Sequence, residues 1–242
     1  MLSASALGEK SATFELIEAA IIKETLHLNE FAAPLQRLGI LAKQDQDPQT
    51  MALLGKVMLS LAKHEEALSW LRKATQSGHD FDGASEALVQ EGRILLAQKD
   101  KAAAEVAFRK AALELDDPSG YFYLSQLQEK GSSQQEVYLL KAASSGIVEA
   151  CHNLGSLEME KMKGKQTASK TLNDFGMAME WFQVAAQGGF GLSMLNLALI
   201  YKSGGLAEEG LRYLEMAEGL PEIKEEARRV RDQWESPKIE IL

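Results

Sequence analysis

Cys151-His152 is the one place in this 242-residue chain where a thiol and an imidazole adjoin, the pair a cysteine nucleophile and its general base would need. Sequence neighbours on a helix point about 100° apart, so adjacency does not set one against the other. A free cysteine is commonly buried and inert, and a structural cysteine is the expectation. The four histidines, His27, His64, His79 and His152, fall in separate segments without metal-ligand spacing. His64-Glu65-Glu66 lacks the second histidine that a zinc helix requires. Asp80-Phe81-Asp82-Gly83 has neither the spaced acids nor the closing glutamate of a calcium loop, and Asp82 is expected to cap a helix instead. Gly188-Gly189-Phe190-Gly191 has no preceding strand and no Lys-Ser/Thr pair to hold phosphates. No catalytic residue, metal site or cofactor is therefore assigned, and the chain is read as not an enzyme.

What the sequence repeats is a packing device. Trp70, Phe108, Tyr138, Trp181 and Tyr213 are each followed four residues later by alanine (Ala74, Ala112, Ala142, Ala185, Ala217) and eight residues later by Gly78, Asp116, Gly146, Gly189 or Pro221. Residues i and i+4 share a helix face, and a glycine just past the last turn supplies a left-handed cap. In the helix before each box a second mark recurs: Leu54-Gly55, Glu91-Gly92, Leu124-Ser125, Leu154-Gly155 and Leu197-Ala198. The small residue lets paired helices approach closely. Strand-like alternation is absent, so the expected class is all-α, an array of helical hairpins.

The pattern divides the chain into N-terminal capping helices (1–45), five repeats (46–220) and a C-terminal capping helix with a tail (221–242). The first helix of the cap is expected to run from Phe14 to about Leu28 and the second from Phe31 to Leu41. Asp47-Pro48, Asp100 and Asp117-Pro118 read as helix starts, and Ser133 with Glu136 as a capping box. The polar segment from Lys163 to Asn173 interrupts the fourth repeat and reads as a connector. The charged run Lys224–Arg231 suits the wet outer face of a terminal helix, and Pro237–Leu242 carries three apolar residues beyond it.

A formal charge of -9 disfavours a polyphosphate ligand and nucleic acid and favours neutral or basic protein partners. The single cysteine excludes an intramolecular disulfide. No apolar run approaches the roughly 20 residues of a membrane span. With no targeting pattern in residues 1–30, the expectation is a soluble protein of a reducing intracellular compartment, cytoplasmic before organelle matrix.

Ala150-Cys151-His152-Asn153-Leu154-Gly155, followed by Ala178-Met179-Glu180-Trp181-Phe182-Gln183-Val184-Ala185-Ala186-Gln187-Gly188, resembles the Sel1-like repeat, a relative of the tetratricopeptide repeat. Leu192–Tyr201 with Gly204-Gly205 and Tyr213–Ala217 resembles it again, and Trp70-Leu71-Arg72-Lys73-Ala74 fits either family. The resemblance covers about residues 46–220. It implies an α-solenoid, a right-handed superhelix of antiparallel helix pairs whose first helices line a concave groove. It also implies a scaffolding or adaptor role. The leading reading is a scaffold, adaptor or assembly factor binding a peptide or partner helix in that groove, with a permanent subunit of a larger complex as the alternative and an RNA-binding array behind both. On that basis Lys56, Arg93, Tyr123, Gln126, His152, Asn153, Asn196 and Tyr201 are the candidates to line the groove, the tyrosines as anchors. Asn153 and Asn196 equally suit a structural bond to a neighbouring loop.

Overall fold

The computed structural model describes residues 9–44, 46–163 and 171–235, with the side chain of residue 163 also outside the description. Every regular element among them is helical. Contacts divide the chain into two units, Met1–Leu127 and Gln128–Leu242, so the third repeat contributes one helix to each.

The first unit contains α1 (Lys10–Ile22), a short 3-10 turn (Asn29–Phe31), α2 (Ala32–Gln44), α3 (Pro48–Ser60), α4 (His64–Gln76), α5 (Ala84–Ala97), α6 (Lys101–Arg109) continuing as a π-helix (Lys110–Glu114), and α7 (Pro118–Leu127). Helix α1 ends six residues earlier than its apolar spacing suggests: Glu24 takes a left-handed φ of 55° and Ile22 is exposed. Helices α3 and α4 form one hairpin and α5 and α6 the next, while α3, α5 and α7 touch in succession. That succession puts the first helices of three repeats side by side.

The second unit contains α8 (Ser133–Ser144), α9 (Val148–Lys163), α10 (Leu172–Gln187), α11 (Gly191–Ser203), α12 (Ala207–Glu218), a 3-10 turn (Pro221–Ile223) and α13 (Lys224–Asp232). Each packs on the next, and the turn at Pro221 touches α11, α12 and α13. Phe175, Phe182, Leu195, Leu197, Ile200, Leu214 and Trp234 share one core. A fully buried Leu or Phe contributes about 1.5–3 kcal/mol relative to exposure, so this cluster is the main cohesive element of the unit. The Lys163–Asn173 connector and the Pro237–Leu242 tail fall largely or wholly outside the described residues.

All five box alanines are fully buried, but three of the five aromatics, Trp70, Trp181 and Tyr213, are only partly so. The residue that meets the small position of the first helix is the one after the aromatic: a Cβ on Gly55 would lie 2.8 Å from Leu71, and one on Gly155 would lie 2.7 Å from Phe182. In the second repeat that partner is Phe108 itself, whose ring a Cβ on Gly92 would overlap. Phe108 thus corresponds to Leu71 and Phe182, not to Trp70 and Trp181, and its buried alanine counterpart is Ala111.

One residue is then left over before the cap, and the π-helix at Lys110–Glu114 absorbs it. Ile147 N–H donates to Ala142 and Phe190 N–H to Ala185, five residues back, whereas Asp117 N–H donates to Ala111, six back. The left-handed residue moves accordingly: Gly146 (φ 90°) and Gly189 (φ 87°) stand four after their alanines, and Asp116 (φ 51°) five after Ala111.

Three helix starts follow the sequence. Thr50 N–H donates to the Asp47 carboxylate at 2.9 Å, Ala103 N–H to Asp100 at 3.1 Å and Gly120 N–H to Asp117 at 2.8 Å. Two do not. Ser132, not Ser133, caps α8, accepting from Gln135 N–H at 3.2 Å while the Gln135 side chain accepts from Gly131 N–H at 2.8 Å. Helix α5 starts at Gly83 in a left-handed conformation without a side-chain cap, so Asp82 does not serve as one.

Candidate partner-binding surface

In the first unit the expected residues stand on successive first helices. The Lys56 ammonium on α3 pairs with the Glu86 carboxylate on α5, which neutralises it. Phe14, Glu18, Gln49, Leu53, Lys56 and Glu86 border a small cavity of about 190 Å³. Arg93, about two turns along α5 from Glu86, is exposed. It donates to the Gln90 amide oxygen at 3.1 Å, and its guanidinium lies 5.8 Å from the centroid of the Tyr123 ring. Tyr123 on α7 stacks in turn on Phe108, with centroids 4.9 Å apart and planes 13° from parallel, and meets the edge of Phe122 at 5.5 Å.

This geometry brings Arg93 and Tyr123 together as a cation, ring, ring stack, an arrangement that stiffens a long side chain and holds its charge outward. Gln126, also exposed, lies on α7 three residues beyond Tyr123, a spacing that places it on the same helix face. No carboxylate pairs with Arg93 among the described residues.

In the second unit the expected residues separate into different surroundings. His152 on α9 places Nδ1 2.9 Å from the Ser193 hydroxyl on α11, and its ring lies 5.5 Å from Phe182 and 4.8 Å from Phe190. Burial among these rings lowers its pKa to about 4, because an imidazolium there would lose its hydration. Asn153 is partly buried on the same helix.

Asn196 is placed differently from the expectation. It has no exposed surface, and neither its amide nitrogen nor its amide oxygen has a hydrogen-bond partner. Helix α11 is buried from Ser193 to Ile200, so this part of the first-helix face is covered and a ligand has no access to Asn196. Tyr201 leaves the group by direction. It stacks on Tyr213 at 5.5 Å, accepts from the Gln183 amide at 3.1 Å, and lines a crevice of about 380 Å³ whose other walls come from the second helices α10 and α12.

Cys151 is buried, and burial pushes its thiol pKa up, away from the thiolate a nucleophile requires. Ser193 and Gln90, which orient His152 and Arg93, are not among the residues that the sequence pattern singles out. Gln90 was accessible through its i,i+3 spacing to Arg93, but the 41-residue separation of His152 and Ser193 carries no local signal. Among the described residues no helix is long and apolar enough to cross a membrane.

The stacked hairpins are those of an all-α solenoid of the Sel1-like and tetratricopeptide type. No protein-family model matches the chain, and no curated protein does. Solved structures do match. A protective antigen of uropathogenic Escherichia coli with a Sel1-like repeat fold, c5321, is similar with TM-score 0.69 and 19% identity over 94% of this chain and 50% of its own; the present chain spans about half its length. PilF of Pseudomonas aeruginosa gives 0.69 and 17% over 92% of this chain and 96% of its own. YrrB, a tetratricopeptide protein with an unusual peptide-binding site, gives 0.50 and 18% over 80% and 96%.

Proposed function

We propose that this chain is a non-enzymatic scaffold that holds a peptide or helix of a partner protein against the first-helix face of α3, α5 and α7. The observation that carries the reading is the Arg93–Tyr123–Phe108 stack. A charged group without a carboxylate partner and an aromatic face stand side by side on adjacent helices, with exposed Gln126 one turn on. Arg and Tyr are the residue types on which binding energy concentrates, and a pre-stacked pair loses little further freedom when bound. The peptide-binding site of YrrB, on a similar fold, supports a peptide as ligand. His152, Asn153 and Tyr201 take a smaller part in this reading, and Asn196 none, because it is covered.

The test is capture of interacting proteins from native lysate by the intact chain, beside Arg93→Glu and Tyr123→Ala, with circular dichroism confirming that both variants remain helical. A partner held by the intact chain and lost by both variants is the expected result. A partner held equally by all three would remove this face from the reading.

A further inference from the structure

We infer that the cavity bordered by α2, α3 and α4 binds a small organic acid, its apolar body against Trp70 and Met51 and its carboxylate on Lys43 and Lys73. The cavity measures about 430 Å³, inside the range of roughly 300–1,000 Å³ typical of small-molecule sites. Ala42 of α2 and Met51 of α3 are buried at its wall, and Trp70 of α4, the first aromatic of the repeat pattern, is partly buried there. Lys43 stands in the last turn of α2 and Lys73 in the last turn of α4. A lysine in a last turn complements the helix dipole, which accounts for each position singly. It does not account for both lining one cavity with an indole. The Lys73 ammonium lies 4.3 Å from the centroid of the Trp70 ring, a contact that holds the charge at the cavity.

Charge and hydrogen-bonding capacity select the ligand. The crevice at Tyr213 carries both Glu209 and Arg212, and the cavity at Lys56 carries Glu18, Asp82 and Glu86. The cavity at Trp70 has two ammoniums and no carboxylate among the described residues that line it, although the chain as a whole has a formal charge of -9. Neither ammonium pairs with a carboxylate, and neither the Gln46 and Gln76 amides at the rim nor the Trp70 indole N–H has a hydrogen-bond partner among the described residues. A cationic ligand would meet no counter-charge here, and a neutral apolar one would leave these donors unused. A carboxylate accepts charge-assisted hydrogen bonds from both lysines, and an apolar body covers the indole and the thioether. The site involves none of Arg93, Tyr123 and Gln126 and is independent of the partner-binding face proposed above.

Nuclear magnetic resonance of the full chain tests it. The indole N–H signal of Trp70, assigned by its loss in Trp70→Phe, reports occupancy, with the signals of Trp181 and Trp234 as internal references. Phenylacetate is the probe, phenylacetamide its neutral counterpart, and inorganic phosphate an anion without an apolar body. Phenylacetate is expected to shift the Trp70 signal with a Kd of about 1 mM, and the other two to bind about tenfold more weakly or less. Lys43→Gln combined with Lys73→Gln weakens phenylacetate about tenfold and leaves phenylacetamide unchanged. Both lysines are exposed, and unmoved Trp181 and Trp234 signals verify that the double variant is folded. A Trp70 signal that stays still up to about 20 mM phenylacetate overturns the inference. So does equal binding of the amide, or a double variant that binds as the wild type does. Acetyl-Gly-Gly-Phe with a free carboxylate, if it bound about tenfold more tightly than phenylacetate, would give the cavity to a chain terminus and overturn the free acid as its ligand.

Discussion

The His152 imidazole couples the stability of the second unit to pH. Its pKa is about 4 in the folded chain against an ordinary 6.5, lowered by burial beside Phe182 and Phe190. Between those values the unfolded chain binds a proton that the folded chain does not, so stability rises with pH across the interval. The contribution is complete above the unfolded value and falls away as acidity increases toward the folded one. Each pKa unit of difference is worth about 1.4 kcal/mol, and moving from about pH 7.5 to about pH 5 crosses roughly 1.5 units of that gap. The limiting loss is about 2 kcal/mol, and residual solvent access to the ring brings the expectation to about 1–2 kcal/mol. His152→Gln keeps a side chain able to bond Ser193 but cannot titrate. Urea unfolding of both proteins at the two pH values isolates the term, since the carboxylates common to both cancel in the comparison. Wild type loses the stated amount relative to the variant, and the ring-proton shift of His152 titrates near 4. Equal pH dependence in the two proteins, or a titration midpoint near 6.5, would refute the argument that burial sets this group.

Four further outcomes follow from packing and capping. Gly92→Ala drives a methyl into the Phe108 ring and costs about 1–3 kcal/mol in chemical unfolding, whereas Gly39→Ala, with open space around it inside α2, gains about 0.5–1 kcal/mol. Deleting exposed Leu113 from the π-helix lets α6 continue as regular α-helix and shortens the Ala111-to-cap bond to the five-residue span used elsewhere; retained helicity and a stability change under about 1 kcal/mol are expected, and loss of folding would show that the insertion is required. Asp47→Ala removes the Thr50 N–H acceptor and the Lys10 pair and costs about 1–2 kcal/mol, while Asp82→Ala, which removes no cap, stays within about 0.5 kcal/mol. Cys151 in the native chain resists alkylation by a soluble thiol reagent and reacts once denatured; rapid native labelling would contradict its burial.

The hairpin array was legible because its determinants are local. An alanine four residues past an aromatic and a small residue one helix earlier recur whatever the rest of the chain does, and the caps at Asp47, Asp100 and Asp117 need only the next three residues. The second repeat shows how such a pattern misleads. The spacing from Phe108 to Asp116 matches that from Trp70 to Gly78, yet Phe108 occupies the place of Leu71. Spacing counts residues, while packing counts turns, and one π-turn separates the two counts. Nothing in Lys110–Glu114 announces that turn, because its energy is settled by Gly92 accepting the Phe108 ring from another helix.

The binding surface was less legible for a related reason. Asn153 and Asn196 hold the same place relative to their Leu-small pairs, but α11 is enclosed from Ser193 to Ile200 and the corresponding part of α9 is not. Exposure depends on what later segments cover, which periodicity within one repeat does not encode. Arg93 and Tyr123 came together because each lies on a first helix that touches the next, a relation that repeat order does encode. Candidate residues on adjacent first helices are therefore the dependable product of a repeat reading. A polar side chain at an equivalent position near the end of an array is as well suited to be sealed inside it. The orphaned amide of Asn196 is the cost of that enclosure, about 1–3 kcal/mol for unsatisfied buried polar atoms. Asn196→Leu, similar in size and without that penalty, accordingly stabilises the unit to urea. If it destabilised the unit instead, the amide would have to hold a bond that this conformation does not contain.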